Sequence, residues 1–446
     1  MHPLMALPSL RALRHRNFRL FLTGQIFALI GYWIQMMAQS WLLYRLTGSA
    51  TMLGVMAFAG SLPILLLSPL AGLWSDRWNL HRAMFVTQVL ELLQAATLAA
   101  LALAGIIAPW HIVTLAMVMG VLVAFELPIR HAYMLELVDG KEDLPNAIAL
   151  TSLMANSGRM VGPAIAGILI GVLSEAYCFL INALTYIAVV ISFMMIRSRP
   201  QPRAAVSTPL LTGLREGFSY VWHTLPIRAL LLALAVVALV ATPYSALMPV
   251  MVREVFGGDA DLMGFLMSAS GGGAICGTLY LASRKNARGL IRLIIIAMFS
   301  AGTALVLFAN APSVWLALTL LPVVGFGILV TSVSVNTILQ TIVDDDKRGR
   351  VMSLYTVAFL GIMPFGALAA GALADIVGPR ATITAGGLCC VAAALILARK
   401  RHDIRAGIRP IYEKLGIVRR LVAGTKVTFA LRRAGLCASP PMRGWA

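Results

Sequence analysis

Three ionisable side chains stand inside stretches that are otherwise almost wholly apolar: Glu91, Glu126 and Arg159. An ionised group at the centre of a membrane helix costs at least ~2.5–3.5 kcal/mol on insertion scales, so such residues mark ion or substrate pathways by default. Two carboxylates and one guanidinium allow one ion pair and one spare acid. A spare, desolvated acid can load and release a proton, which is the chemistry of proton-coupled transport. Depth points to a common site. Glu91 lies eight residues after the start of the run 83–104, and Glu126 eight before the end of the run 110–134. At 1.5 Å per residue both sit ~12 Å from the same face. Arg159 is deeper, thirteen residues into the run 146–173. The short connection between these last two runs favours Glu126 as the partner of Arg159, with Glu91 as the proton carrier. A second pairing stays open: Glu126 with Arg130 one helical turn along, which frees Arg159 for an anionic substrate.

The elements that must position these groups follow from composition. Of 446 residues, 59% are hydrophobic and 12% charged, against roughly 25% charged in soluble domains. Mean hydropathy is +0.86. The bilayer is therefore the expected solvent. The net charge of +18 is spread over short loops and one tail, which argues against nucleic acid and for membrane orientation. Apolar runs between charges and Gly/Pro breaks give twelve spans: 18–44, 50–73, 83–104, 110–134, 146–173, 176–196, 226–251, 261–282, 290–309, 313–337, 350–374 and 380–398. Residues 293–343 carry no charge, and "NAPS" at 310–313 supplies the turn that divides them. Lys and Arg gather on one side in alternate loops (Arg11, Arg14, Arg77, Arg82, Lys141, Arg197, Arg284, Lys285, Lys347), which places both termini in the cytoplasm of an inner-membrane protein.

The chain also repeats. Gly162 and Gly167 in "VGPAIAGILIG" lie 204 positions before Gly366 and Gly371 in "PFGALAAGALAD". Two six-helix halves in the same orientation follow, with a transport site between them near the midplane. The predicted fold is an all-α polytopic membrane protein of twelve helices in two parallel repeats. Its parts are a first half (1–196), a cytoplasmic linker (197–225), a second half (226–398) and a basic tail (399–446). Ile408, Ile411 and Leu415 give the tail a mostly helical apolar spacing, so it is either a helix on anionic lipid or a disordered basic end.

Two motifs carry a resemblance. The turn "AGLWSDRWNLHRAM" (71–84) places Gly72, Asp76, Arg77, Asn79 and Arg82 between the second and third spans. It resembles the loop signature of the major facilitator superfamily, with Asn79 where that pattern has Gly and His81 where it has a base. Asn is the next residue most tolerant of left-handed backbone, so the turn is expected to survive. Gly72 permits a close helix approach. Asp76 can accept from backbone N–H groups at a facing helix end, and Arg77 and Arg82 anchor the turn; together they suit a cytoplasmic gate. In the fifth span Gly158-x-x-x-Gly162-Pro163-x-x-x-Gly167 resembles the signature of exporters in that superfamily. Its small residues allow backbone-to-backbone contact, and Pro163 removes a helix hydrogen bond. The wider pattern over 17–398 resembles the branch that holds the enterobactin exporter and the macrolide efflux proteins. The resemblance implies alternating access, efflux of a drug-like or siderophore-like small molecule, and proton antiport. A lipid or lysolipid flippase on the same fold, or a non-transporting receptor, are the alternatives. Many such exporters carry an arginine halfway along the fourth helix, whereas Arg130 lies nearer the cytoplasmic end.

Polar residues sketch a substrate cavity: Gln25, Gln35, Gln39, Asn156 and Asn182 in the first half, Thr242, Tyr244, Ser268, Ser270 and Asn336 in the second, with Trp33 and Trp41 as aromatic contacts. The five cysteines form no C-x-x-C pair, and no His or Cys cluster lies in the spans. No metal, cofactor or enzymatic centre is therefore expected. The expected partners are a small-molecule substrate, protons and the bilayer, and the expected unit is a monomer.

Overall fold

The computed structural model describes residues 8–75, 78–138, 142–197, 218–284 and 288–414. Asp76, Arg77, Lys141, Lys285, residues 198–217 of the linker and the tail beyond 414 lie outside the described residues. Among the described residues, twelve helices are long and apolar enough to cross a membrane. We label them α1 (Arg16–Thr47), α2 (Ala50–Ser75), α3 (Leu80–Leu103), α4 (Pro109–Leu137), α5 (Leu144–Val172), α6 (Glu175–Met195), α7 (Leu225–Val255), α8 (Ala260–Ala282), α9 (Leu290–Ala309), α10 (Val314–Ile342), α11 (Lys347–Val377) and α12 (Pro379–Arg399). An even number of crossings returns the chain to the face where it began, here called the terminal face.

The breaks between helices have local causes. Gly48 takes φ +61° and closes α1 by donating its N–H to Tyr44; only glycine adopts that conformation without cost. Ser313 caps α10 with its side chain, which places the predicted "NAPS" turn where the charge-free run divides. Asn79 differs from expectation. Its backbone is extended (φ −68°, ψ 109°) and its side chain accepts from the Arg82 N–H. Asn thus serves here as a helix N-cap rather than as a substitute for a left-handed glycine.

The internal repeat appears in the packing. α1 packs on α5 and α6, α2 on α4, and α3 on α6; α7, α8 and α9 repeat these contacts with α11 and α12, α10, and α12. The repeated glycines do equivalent work. Gly162 lies against Ile30 and Trp33 of α1, and Gly366 against Leu239 of α7. Gly167 meets the start of α8 at Ala260, and Gly371 meets the start of α2 at Ala50. Each pair therefore joins one contact inside a half to one contact between halves.

Two spans are not regular α-helices. In α7, π turns at Val237–Ala241 and Met251–Val255 flank a 3-10 segment at Thr242–Ser245. In α11 a π turn occupies Val357–Gly361. Pro243, Pro249 and Pro364 each lack the N–H that an α-helix needs, and π turns of this kind concentrate at functional sites.

A further helix, α13 (Arg401–Lys414), follows α12. Its Ile404, Ile408 and Tyr412 are buried, and Gly407 lies against Pro226 at the start of α7. Its apolar face therefore covers protein of the second half, not lipid, a correction for this stretch of the tail.

Candidate functional site

The first half encloses a polar network in an apolar bundle. Glu91 and Glu126 are 2% and 4% exposed. Gln88 donates to Glu91 at 2.9 Å and to Glu126 at 3.2 Å, and Gln25 donates to Gln88 at 3.3 Å. Arg130 forms an ion pair with Glu126 one turn away on α4. Pro128 lies between them inside the helix. Tyr32 and Tyr186 stand within electrostatic reach of both carboxylates and of Arg130. One oxygen of Glu91, Oε1, is buried without a hydrogen-bond partner among the described residues. The expected Glu126–Arg159 pair is therefore corrected: Glu126 takes the nearer cation, and a one-turn separation on one helix wins over a contact between helices.

Arg159 belongs to a different feature, a central cavity of about 380 Å³ between the halves. Its guanidinium lies over the Trp33 ring, 5.7 Å from the centroid. The cavity wall includes Tyr32, Gln35 and Gln39 of α1, Gly60 of α2 and Gly120 of α4. The irregular segments Thr242–Ala246 of α7 and Phe359–Leu360 of α11 complete it, with Ser270 of α8. Tyr244 and Ser270 share a hydrogen bond of 2.5 Å at the wall. Six methionines (Met36, Met37, Met56, Met119, Met267 and Met363) make much of the remainder apolar and adaptable.

Several predicted cavity residues serve elsewhere. Gln25 belongs to the carboxylate network. Asn182 is fully buried and donates to Gln35 at 2.7 Å; Gln35 in turn donates to Gln94 at 3.1 Å, a chain that ties α6, α1 and α3 together. Asn156 donates to the Ser152 carbonyl on its own helix, and Asn336 accepts from Gln340 on its own. Trp41 and Ser268 also lie off the wall. Of the predicted set, Gln35, Gln39, Trp33, Thr242, Tyr244 and Ser270 line the cavity.

The contacts that join the halves gather away from the terminal face. Tyr44 of α1 donates to Glu254 of α7 at 2.5 Å. Asp375, near the end of α11, accepts from Ser49 Oγ at 2.8 Å and from the N–H groups of Ala50 and Thr51 at 2.7 and 2.9 Å. A carboxylate of one half thus caps a helix of the other, where free N–H groups and the helix dipole both favour an anion. The glycine motif of α5 takes part: an added methyl on Gly167 would meet Ala260 O at 2.7 Å, while Gly158 and Gly162 face α1 and the carbonyl of Pro163 faces Gly264 of α8.

At the terminal face, Asp76 and Arg77 of the predicted gate lie outside the described residues. Gly72 is in the last turn of α2, and Arg82 opens α3 beside its cap Asn79. His81 is engaged through Nδ1 with the Tyr133 hydroxyl at 2.7 Å. Sequence reasoning missed Tyr44, Glu254, Asp375 and also Asp143, which binds Arg11 at 2.9 Å and His15 at 3.0 Å. An acid placed at a helix end was the available signal, since the apolar runs stop there.

Comparison with known proteins places these features in context. Residues 8–406 match the family described as transmembrane secretion effector. The staphyloferrin A transporter of Staphylococcus aureus is 25% identical, over 84% of this chain and 94% of its own. The multidrug efflux pump Tap of Mycolicibacterium fortuitum is 27% identical, over 82% and 91%. Macrolide efflux protein A of Streptococcus pyogenes is 23% identical, over 84% and 93%. Among solved structures, a nucleoside transporter superposes with TM-score 0.67 at 12% identity, over 87% of this chain and 99% of that one. A bacterial homolog of the human lysosomal transporter Spinster, inward-facing and unoccupied, gives 0.61 at 15%, over 89% and 97%. At these identities the solved structures speak to the fold alone.

Proposed function

The chain belongs to the transmembrane secretion effector family of major facilitator transporters, and on that premise we propose that it exports a small amphipathic organic compound by alternating access, driven by proton antiport. Relatives named for multidrug and macrolide efflux support the direction, and these names together with that of the staphyloferrin A transporter support an organic cargo. The observation that carries the coupling is the buried acid pair. Arg130 forms its ion pair with Glu126, which leaves Glu91 without an ion pair of its own among the described residues, held by Gln88 through one oxygen. Tyr32 lies on the cavity wall and within electrostatic reach of that pair, so occupancy of the cavity and protonation of Glu91 have a shared neighbour. We read the terminal face as cytoplasmic and the Tyr44–Glu254 and Asp375 contacts as an outer closure, so the described state is closed to the outside.

The test is transport in proteoliposomes with an imposed pH gradient, using dyes and siderophores as cargo. The wild type should accumulate cargo against its gradient. Glu91→Gln should fold and bind cargo but transport no faster with the gradient than without it. A Glu91→Gln protein that keeps its full pH response removes Glu91 from the coupling.

Orientation has its own check. Reporter fusions along the chain should place residues 197–225 and both termini in the cytoplasm and 253–260 outside, because positive loops are retained inside. An external C-terminus would overturn the assignment of faces.

A further inference from the structure

Arg159 is the one charged side chain on the wall of the central cavity among the described residues. No carboxylate among the described residues lies within ion-pair distance of it; its recorded contact is the face of Trp33 at 5.7 Å. Stacking over an indole uses the flat face of a guanidinium and leaves its N–H edge available. That edge presents parallel donors in the geometry that fits a carboxylate in bidentate fashion.

A second polar residue shares this wall. Gln39 is 7% exposed and lines the cavity, but its Nε2 is shut off from the open space and has no hydrogen-bond partner among the described residues, which leaves Arg159 as the group that faces a charged ligand. The wall around it is largely apolar and rich in methionine.

We infer that the cavity selects organic anions: molecules with a carboxylate that docks on Arg159 and an apolar body that lies against the methionines. This deepens the export reading and rests on it for the direction of transport, but the recognition can be measured without transport. It excludes amphipathic cations as preferred cargo, because nothing on the described wall offsets the charge of Arg159.

The experiment uses the full-length protein in nanodiscs and three probes with one fluorophore: dansylglycine (anion), dansylamide (neutral) and dansylcadaverine (cation). Binding is read by energy transfer from tryptophan to dansyl. A bidentate charge-assisted contact should favour dansylglycine over dansylamide by about 10- to 100-fold. Arg159→Gln should abolish that preference, and Arg159→Lys should retain part of it. The thermal midpoint and monodispersity of each variant, measured beside the wild type, certify that it is folded. Equal affinities for the three probes in the wild type, a preference for the cation, or an anion preference that survives Arg159→Gln would each overturn the inference. Anion selectivity without gradient-driven export would instead count against the transport reading and leave the site standing.

Discussion

Arg130→Leu is expected to lower the folded yield severely, and Arg130→Leu with Glu126→Gln to restore much of it. Glu126 is 4% exposed and owes its compensation to Arg130, whose side chain is itself 17% exposed. Removing the cation leaves an ionised carboxylate in a low-dielectric interior beside Glu91, a second acid. Breaking a buried pair in this way typically costs ~3–5 kcal/mol, a large fraction of the stability of most domains. Neutralising Glu126 removes the stranded charge, and the glutamine amide can still hydrogen-bond within the Gln25–Gln88 network. Arg159→Leu should lack this effect on yield, because Arg159 holds neither acid. The measurement is the monodisperse fraction after solubilisation, together with the thermal midpoint, for the two single variants and the double variant. Equal loss in the double and in Arg130→Leu alone would mean that the guanidinium acts through packing, not through charge compensation.

Gly371→Leu is expected to shift the protein toward the state open to the outside. A methyl group at Gly371 would lie 2.5 Å from the Ala50 carbonyl oxygen, and one at Gly54 opposite it 2.7 Å from the Ala367 carbonyl oxygen. These are backbone atoms, which cannot move aside as a flexible side chain does. The steric cost falls on the closed outer contact and vanishes when the halves part there. Overpacking of ~1–3 kcal/mol corresponds to a change of about 5- to 150-fold in the ratio of the two states. A cysteine at Ser40, on the cavity wall of α1, should then react correspondingly faster with a membrane-impermeant maleimide added outside. Gly167→Leu, the equivalent residue at the other contact between halves, should act alike. Gly171→Leu is the control, since among the described residues an added methyl there meets nothing within 4 Å beyond the backbone of its own helix. Unchanged labelling in both variants would show that these glycines pack without governing the outer closure.

Much of the architecture was legible because the membrane reduces it to two quantities, apolar length and charge. Twelve runs of sufficient length became twelve spans, and the serine after "NAP" capped the helix that the charge-free stretch had hidden. The repeat was legible in four glycines, since only glycine permits backbone contact at corresponding places in both halves. The irregular course of α7 and α11 was not read, although Pro243, Pro249 and Pro364 were visible. A proline shows that an α-helical hydrogen bond is missing but does not show which π or 3-10 turn replaces it.

The acids and arginines divide in the same manner. That Glu91, Glu126 and Arg159 had to be compensated or functional followed from their cost in an apolar medium, which is a property of residue type and depth. Which cation met which acid was decided by helix rotation. Arg130 and Glu126 share one face of α4, whereas α5 turns Arg159 toward Trp33 and the cavity. The amides show the same rule: Gln35, Gln39, Gln25 and Asn182 looked equivalent in the sequence, yet packing left Gln39 on the cavity wall, put Gln25 and Asn182 into buried hydrogen-bond chains, and made Gln35 part of both. Asp375 is the clearest case. In the sequence it is an acid at the end of an apolar run, and it becomes a cap on α2 only because the fold brings residues 325 positions apart to the same face. Apolar periodicity sets where helices begin and end, because it is local; the partner of a polar side chain depends on the relative rotation of helices, which only their mutual packing determines.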